Sequence, residues 1–500
     1  MMFWLLLLGI FGIFTYYIVQ RSVVGITRTP VWILWVVMMI PAFVMTGWIL
    51  LNGEAPIPAV LLFGPFLVCP LLYWFLIQWG RRTNVVADAP TENLAAAVSQ
   101  APTADPKPPL RPIDRQEEAA LHTCFPWSIF YLQNIEYRPQ AVICRGQLRS
   151  APDVAYRTIR ENIEAQFGDR FLIVFQEGLN GKPFFALVPN PQVRAKSRND
   201  PQTATKSSHR PLLAIALLVA TLFTTTLAGA MMTVPAGQTP MLTVGLLQSG
   251  LPYGVALMSI LGVHELAHYL TARRYHMRVT YPYFIPVPPA DFFPIGTFGA
   301  FISLRSPMPN RRALFDVGIA GPLAGFVMTL PFLFWGLAHS DATQLTDTSG
   351  LLNFSSFNPH ASLLLVLCSK LAMGSRLTAA SAIDLHPVAV AGCVGVIVTA
   401  LNLMPVGQLD GGHIIHAMFG QRVGGLIGQV ARFLALALSF LQQEFLLWAI
   451  LLFLIPAADE PALNDVSELD SWRDGLGLLA LTLLVAIILP VPPVLARLLF

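Results

Sequence analysis

Long apolar runs separated by short polar segments dominate the chain. Three such runs lie near the N-terminus, at about residues 3–20, 31–51 and 57–79. Each has close to the ~20 residues that a helix needs to cross a bilayer. Arginines follow the first and third runs but not the second, so the positive-inside rule places the N-terminus outside and residue 81 onward in the cytoplasm. We therefore expect residues 1–80 to form three transmembrane helices.

Two regions of more polar composition follow. Residues 81–118 are rich in proline, alanine and charged residues, which predicts a disordered linker. Residues 119–192 predict a small soluble α/β domain, and residues 193–210 predict a second linker. Within the domain we expect strands at 141–144, 171–175 and 184–188 and a helix at 153–167. Because the domain contains no catalytic constellation, we expect it to dock a substrate or a regulator.

Residues 211–500 form a second membrane block. Its apolar runs of near-spanning length lie at 211–232, 251–272, 316–338, 386–404 and 475–493. Residues 424–456 are also apolar but too long for one upright span, so either one long tilted helix or two short hairpin helices would accommodate them. The tilted helix is preferred because it places the acidic loop 459–474 outside. Residues 339–384 are expected to form a polar external loop.

The segment 279–305 does not have the pattern of a span. Two strand-like stretches flank a proline-rich stretch, which predicts a β-hairpin at the membrane. The second stretch contains Gly299 and Ala300, which are candidate substrate-binding residues, because an open strand edge can pair with an unfolded peptide. A hairpin that only packs against the helices is the alternative.

Composition supports a membrane protein. Of the 500 residues, 55% are hydrophobic and only 12% are charged, whereas soluble globular domains contain about 25% charged residues. The net charge of +3 is close to neutral and indicates no nucleic acid partner. The five cysteines are scattered and odd in number, which argues against a disulfide framework and against a cysteine zinc site.

The main candidate chemistry lies in the apolar run 251–272, in the pentad His264-Glu265-Leu266-Ala267-His268. Residues four apart share one helix face, so both imidazoles can bind one metal ion, and Glu265 can reach water at that ion. A buried structural cluster is the alternative. However, two histidines and a glutamate inside a membrane are costly unless they are paired or bound to an ion.

A catalytic zinc site needs a third protein ligand. Asp410 is the preferred candidate, because it lies in a glycine-flanked helix break at the same expected depth as the pentad. Three further candidates remain open, namely His413, His416 and Asp384. Asn402 precedes the break and either donates a hydrogen bond to the peptide or oxyanion, or bridges the broken helix ends.

These residues resemble the site-2 protease family of intramembrane zinc metalloproteases. The resemblance rests on the pentad, on Gly318-Ile319-Ala320-Gly321-Pro322-Leu323-Ala324-Gly325, and on Asn402 through Leu409-Asp410-Gly411-Gly412. Residues 296–307 are most similar to the chloroplast and cyanobacterial branch, known from the ethylene-dependent gravitropism-deficient and yellow-green proteins. The resemblance implies a membrane core of about six helices, with zinc held by His264, His268 and Asp410. It also implies Glu265 as general base and Asn402 as a substrate contact.

The expected fold is therefore a polytopic α-helical membrane protein. It combines a six-helix site-2 protease core at residues 211–500, a membrane-associated β-hairpin, three N-terminal spans and the soluble α/β domain. The expected function is zinc-dependent cleavage of transmembrane protein substrates within the lipid bilayer, with one Zn²⁺ per chain. The alternative is a membrane metal-ion transporter or sensor. We expect a bacterial cell membrane or a thylakoid-type membrane, with the soluble domain and the active-site opening on the cytoplasmic side.

Overall fold

A computed structural model describes most of the chain from residue 113 onward. The described residues are 29–52, 113–138, 141–178, 181–190, 211–234, 243–289, 294–346, 349–351, 353–441, 445–456 and 459–500, with short pieces between residues 12 and 79. The chain divides into two compact units, Met1–Pro106 and Lys107–Phe500. In the first unit, helix α1 (Val31–Asn52) coincides with the second predicted run. The other two predicted N-terminal spans and most of the linker at 81–118 lie largely outside the described residues.

The second unit begins with a small α/β domain. It contains α2 (Arg115–Thr123), β1 (Phe130–Arg138), β2 (Ala141–Leu148), α3 (Pro152–Phe167), β3 (Phe171–Glu177) and β4 (Pro183–Pro189). The four strands form an antiparallel sheet in the order β1-β2-β4-β3. Helix α3 buries one face, with Ile159 and Ile163 fully covered, as its apolar spacing predicted. Ile113 also belongs to this core, so the folded domain begins before the expected boundary at residue 119.

The remaining elements build the membrane block. They are α4 (Pro211–Met232), α5 (Val244–Arg274), β5 (Tyr283–Pro286), β6 (Thr297–Phe301), α6 (Arg311–Ala338), β7 (Asp341–Gln344), α7 (Leu363–Met373), β8 (Ser381–Asp384), α8 (Pro387–Leu403), α9 (Asp410–Leu441), α10 (Leu446–Leu454), α11 (Ser471–Ile488) and α12 (Pro493–Leu499). Within the described ranges, six helices are long and apolar enough to cross a membrane, namely α1, α4, α5, α6, α9 and α11, and α8 is a shorter apolar helix. The chain is a polytopic helical membrane protein.

Small residues allow the helices around α5 and α6 to pack closely. Helix α5 packs against α4, α6 and α8, and α6 also packs against α8 and α9. A Cβ added at Gly250 of α5 would lie 2.0 Å from the Thr226 carbonyl oxygen of α4. One added at Gly336 of α6 would lie 2.2 Å from the Ala389 amide of α8. Backbone contact of this kind is available only to small residues, and here it brings the functional side chains of different helices together.

The preferred single tilted helix over 424–456 is wrong, and the two-helix alternative is correct. Helix α9 contains a break at Gly420, where φ is 84°, and then continues to Leu441. Helix α10 folds back along it, so that the rings of Phe433 and Phe453 lie 5.6 Å apart. The guanidinium of Arg432 also donates to the Ile455 carbonyl oxygen. The short helix α10 covers the end of α9 in this way, and apolar composition alone does not distinguish this arrangement from one long span.

The hairpin changes the position of the acidic loop that follows it. Because the chain returns to the N-terminal end of α9, the loop lies beside the soluble domain, whereas the two had been expected on opposite sides. The Phe175 amide of β3 donates to the Leu463 carbonyl at 2.7 Å, and the Asp465 amide donates back to Phe175 at 2.9 Å. The predicted polar loop 339–384 is also more structured than expected, because it contains β7, β8 and the partly buried helix α7.

Candidate metal centre and active site

Helix α5 carries the pentad in its C-terminal part, where it is covered by α6 and α8. His264, Glu265 and His268 are only 5%, 8% and 6% exposed. The two imidazoles are one turn apart, as a helix requires of residues i and i+4, and their Nε2 atoms lie 3.1 Å from each other. Local sequence therefore places two possible metal ligands side by side in a buried setting.

The break between α8 and α9 brings Asp410 to the same point. Helix α8 ends at Leu403 and α9 begins at Asp410. A Cβ added at Gly411 would lie 2.0 Å from the Leu403 carbonyl oxygen, so only glycine lets α9 start directly against the end of α8. The Asp410 Oδ2 atom lies 3.3 Å from His268 Nε2 and 3.6 Å from His264 Nε2.

These three side chains fit a zinc ion. Tetrahedral coordination with bonds of about 2.0–2.1 Å places ligand atoms about 3.3 Å apart, and the separations of 3.1, 3.3 and 3.6 Å are close to that value. His268 Nδ1 lies 2.8 Å from the Val317 carbonyl oxygen, which can only accept a hydrogen bond. The proton is therefore on Nδ1, and the Nε2 lone pair points to the shared centre, as is usual for metal-bound histidine.

Helix α6 contacts this centre through its small residues. A Cβ at Gly321 would lie 2.1 Å from His268 Nε2, and one at Gly325 would lie 3.1 Å from His264. The small residues of α6 thus have a specific partner, namely the metal-binding face of α5. Val317, one turn before Gly321, orients His268 through its carbonyl oxygen.

Asn402 and Glu265 complete the surroundings. The Asn402 Nδ2 atom lies 3.2 Å from His264 Nε2, so the amide is at the metal centre rather than bridging the broken helix ends. Glu265 interacts electrostatically with both histidines and Asp410, and the backbone of Ile302 lies close to its carboxylate. Ile302 directly follows β6, so the hairpin reaches the base of the site.

Gly299 and Ala300 lie in β6, which pairs with β5 in antiparallel register. Gly299 has a φ of 98°, in the left-handed region that favours glycine. Within the described part of the chain, β5 is the one strand beside β6, so no strand lies along the second edge of β6. Phe298 on this strand is 67% exposed. The structure places both residues near the site, through the contact of Ile302 with Glu265, but not among the candidate ligands.

The three other candidate ligands lie elsewhere. Asp384 ends β8 at the start of α8, which is about 25 Å of helix rise from the Asn402 end. His413 and His416 both donate to Asp459 Oδ2, at 2.7 and 2.9 Å, and the other nitrogen of His416 lies 2.9 Å from Asp465. Sequence reasoning missed these carboxylate partners because it placed their loop on the other side.

Burial raises the cost of ionising Asp459, but the two histidine hydrogen bonds outweigh it and lower the pKa of this carboxyl to about 2. All five cysteines are buried free thiols.

Comparison with known proteins assigns the region around this centre. Residues 253–441 match the model of Peptidase family M50. The matched region includes the pentad, Asn402 and Asp410, and it confirms the resemblance to site-2 proteases predicted from those motifs.

Several curated relatives are similar over a longer stretch. The probable zinc metalloprotease EGY2, chloroplastic, of Arabidopsis thaliana is 29% identical over 377 residues, which are 74% of this chain and 63% of the relative. EGY1 of the same organism, with the same description, is 34% identical over 49% of this chain and 43% of the relative. EGY3 of Oryza sativa subsp. indica is 25% identical over 72% of this chain and 61% of the relative.

The chain thus spans less than two thirds of the length of these relatives. No solved structure matches it significantly. The match to Peptidase family M50, the names of the relatives and the His-His-Asp group together support the predicted Zn²⁺ cofactor.

Proposed function

We propose that the chain is a zinc-dependent intramembrane endopeptidase that hydrolyses peptide bonds in or near transmembrane segments of membrane protein substrates. The observation that carries the proposal is that Asp410 of α9 meets His264 and His268 of α5, with Glu265 beside them, and that both helices are long and apolar enough to cross a membrane. A merely structural cluster would not need three ligand atoms at the separations of a tetrahedral zinc site.

The chain's own groups have distinct tasks in this reaction. His264, His268 and Asp410 would hold the zinc ion, which when bound would supply a Lewis acid to polarise the scissile carbonyl and activate water. Glu265 accepts the proton of the attacking water and passes it to the leaving amine. Val317 holds His268 in the tautomer whose Nε2 is free to bind. Asn402, beside His264 Nε2, donates to the peptide oxygen as charge develops on it.

The open edge of β6 is the proposed substrate-binding element. A transmembrane helix cannot be cleaved until its backbone is extended, and an unpaired strand edge can hold an extended peptide by backbone hydrogen bonds. Gly299 and Ala300 lie on this strand, and Ile302 at its end contacts Glu265. A peptide paired with β6 would therefore run toward the base and the metal.

The soluble domain is proposed to dock a substrate or regulator near the site entrance. It contacts the first turn of α6, where Arg312 lies 3.9 Å from Asp153, and Val317 of the metal centre follows five residues later. The arginines that close α5 favour the cytoplasmic side for this end. We propose a bacterial cell membrane or a thylakoid-type membrane as the location.

A Glu265→Gln variant tests the function. Cleavage of a model transmembrane substrate in detergent or vesicles should fall by about 10²–10⁴-fold, since a general base contributes on that order. Zinc content, measured by atomic emission, should remain at one ion per chain. An exposed glutamate of α3, Glu164, provides the matched control variant Glu164→Gln, which should cleave normally.

The same variant separates the protease from a metal transporter or sensor. Undiminished cleavage by Glu265→Gln would contradict the proposed role of this residue. Zinc flux into vesicles that persists in Glu265→Gln, together with no cleavage by the parent protein, would support transport instead.

A further inference from the structure

The C-terminal end of α5 opens into a basic cavity that the metal centre does not use. The cavity has a volume of about 280 Å³ and is lined by Arg273, His276, Met277, Arg278, Val279, Thr280 and Arg305. Three of these residues are arginines, and none of the described residues that line the cavity is acidic. Its size is near the lower end of small-ligand sites, which are about 300–1,000 Å³. A small anionic group is the ligand that this lining favours.

The backbone holds the cavity open. Helix α5 ends at Arg274, and His276 then adopts a positive φ of 55°, which turns the chain sharply. The Arg305 amide donates to the Arg278 carbonyl at 2.8 Å, so these two residues are neighbours on adjoining segments. Arg273 approaches from the helix, and the three arginines line one volume. Guanidinium groups match the oxygens of a phosphate group in geometry as well as charge.

The surface beside the cavity indicates where the phosphate comes from. Leu266, Leu270 and Arg273 follow one another at helical spacing on one face of α5. Leu266 and Leu270 are 47% and 57% exposed although they lie in an apolar helix of spanning length. This apolar face ends at the cavity, so the two are adjacent in the same way as the acyl chain and the headgroup of a lipid. The stacked rings of Tyr269 and Tyr281, 5.9 Å apart, lie at the same level, where tyrosine is typical of a membrane–water interface.

We propose that this cavity binds the phosphate group of an anionic phospholipid, with an acyl chain along Leu266 and Leu270. The site lies at the end of the helix that carries the metal-binding pentad, and Arg273 is five residues from His268. Lipid binding does not depend on peptidase activity, so the two proposals can fail separately.

The test measures lipid affinity of the full chain, delipidated in a mild detergent, by native mass spectrometry with three ligands: phosphatidylglycerol, phosphatidylcholine and inorganic phosphate. Phosphatidylglycerol should bind at least ten-fold more tightly than phosphatidylcholine. Each arginine near a membrane surface contributes about five-fold, so removing all three by Arg273→Gln, Arg278→Gln and Arg305→Gln should weaken phosphatidylglycerol binding on the order of 100-fold.

A matched control lies next to the site. Arg274 is exposed on the same helix end but does not line the cavity, so Arg274→Gln should change affinity less than two-fold. If the triple variant fails to fold, the single variant Arg273→Gln should still weaken phosphatidylglycerol binding about five-fold. Leu270→Ser should weaken the lipid and leave phosphate binding unchanged.

Four results would overturn the proposal. Equal binding of the two lipids, or binding unchanged by loss of the arginines, would exclude an anionic headgroup site. Inorganic phosphate that binds as tightly as phosphatidylglycerol, with the same dependence on the arginines, would indicate a free anion site. Displacement by an acidic peptide, with no preference between the lipids, would indicate a protein partner.

Discussion

The contact between α6 and the metal centre allows a sharp test with a single methyl group. In Gly321→Ala, the new Cβ would lie 2.1 Å from His268 Nε2, 2.5 Å from Cδ2 and 2.6 Å from Cε1. Ordinary contacts begin near 3.4 Å, so the imidazole or the helix must retreat by about 1.3 Å. Metal–ligand distances tolerate shifts of only about 0.2 Å. The methyl group therefore removes His268 Nε2 from the shared centre.

The expected loss can be stated for binding and for catalysis. Mutating a residue that orients a metal ligand lowers metal affinity by about 10–100-fold. In Gly321→Ala the ligand itself moves, so zinc affinity should fall by at least that amount. A displacement of about 1 Å at a reacting centre costs on the order of 100-fold in rate. Overpacking also destabilises the fold by about 1–3 kcal/mol, which should appear as a lower melting temperature even without zinc.

Zinc affinity is measured by competition with a chromogenic chelator in detergent, and activity by cleavage of a transmembrane substrate at saturating zinc. Gly262→Ala is the matched control on α5, because its added Cβ meets only the far end of Phe284, at 3.9 Å. This control should bind zinc and cleave as the parent does. A Gly321→Ala protein whose zinc affinity and cleavage rate are within two-fold of the parent would refute the assigned contact between α6 and His268.

Three further outcomes are expected. Asp410→Asn should reduce zinc affinity by at least 100-fold in the same chelator assay, while His413→Gln should leave it within about three-fold, because only the first side chain faces the metal centre. The pKa of Asp459 is lowered in the folded chain to about 2, from an ordinary 3.8. The ionised form therefore stabilises the fold by about 2 kcal/mol above pH 4, and this is lost as pH falls toward 2. Melting temperature should accordingly drop more steeply between pH 4 and pH 2 in the parent than in Asp459→Asn. Asp316→Asn should lower the free energy of unfolding by about 2 kcal/mol, since this half-buried carboxylate binds an arginine of α11 with both oxygens. Asp470→Asn removes the exposed partner of the same arginine and should lower the free energy of unfolding by less than about 1 kcal/mol.

Local sequence determined the parts of this protein that depend on nearby residues. The apolar runs predicted the long helices, because an uninterrupted apolar segment of ~20 residues is by itself long enough to cross a bilayer as a helix. The spacing of His264 and His268 predicted two ligands on one face, because helical periodicity alone sets that separation. The alternating pattern in the soluble domain predicted three of its four strands. Its first strand, β1, is half-exposed and is interrupted by the polar residues Gln133, Asn134, Glu136 and Arg138, so its pattern carried too little signal.

Tertiary structure decided which distant side chains meet. The sequence left Asp410, His413, His416 and Asp384 as possible third ligands. The choice of Asp410 follows from Gly411 and the close start of α9 against α8, a contact between backbones that no local pattern specifies. His413 and His416 instead form hydrogen bonds with Asp459, because the α9–α10 hairpin returns the acidic loop to their side.

The reversal of the chain between α9 and α10 is the feature that the sequence predicted least well. One long helix and two antiparallel ones bury similar apolar residues, so composition does not distinguish them. What distinguishes them is the set of polar contacts that each arrangement permits, namely the histidine–aspartate bonds and the pairing of Leu463 with β3. Periodicity determined that two histidines share a face of α5. Only the packing of α6, α8 and α9 around that face brought a carboxylate to it and made it a metal site.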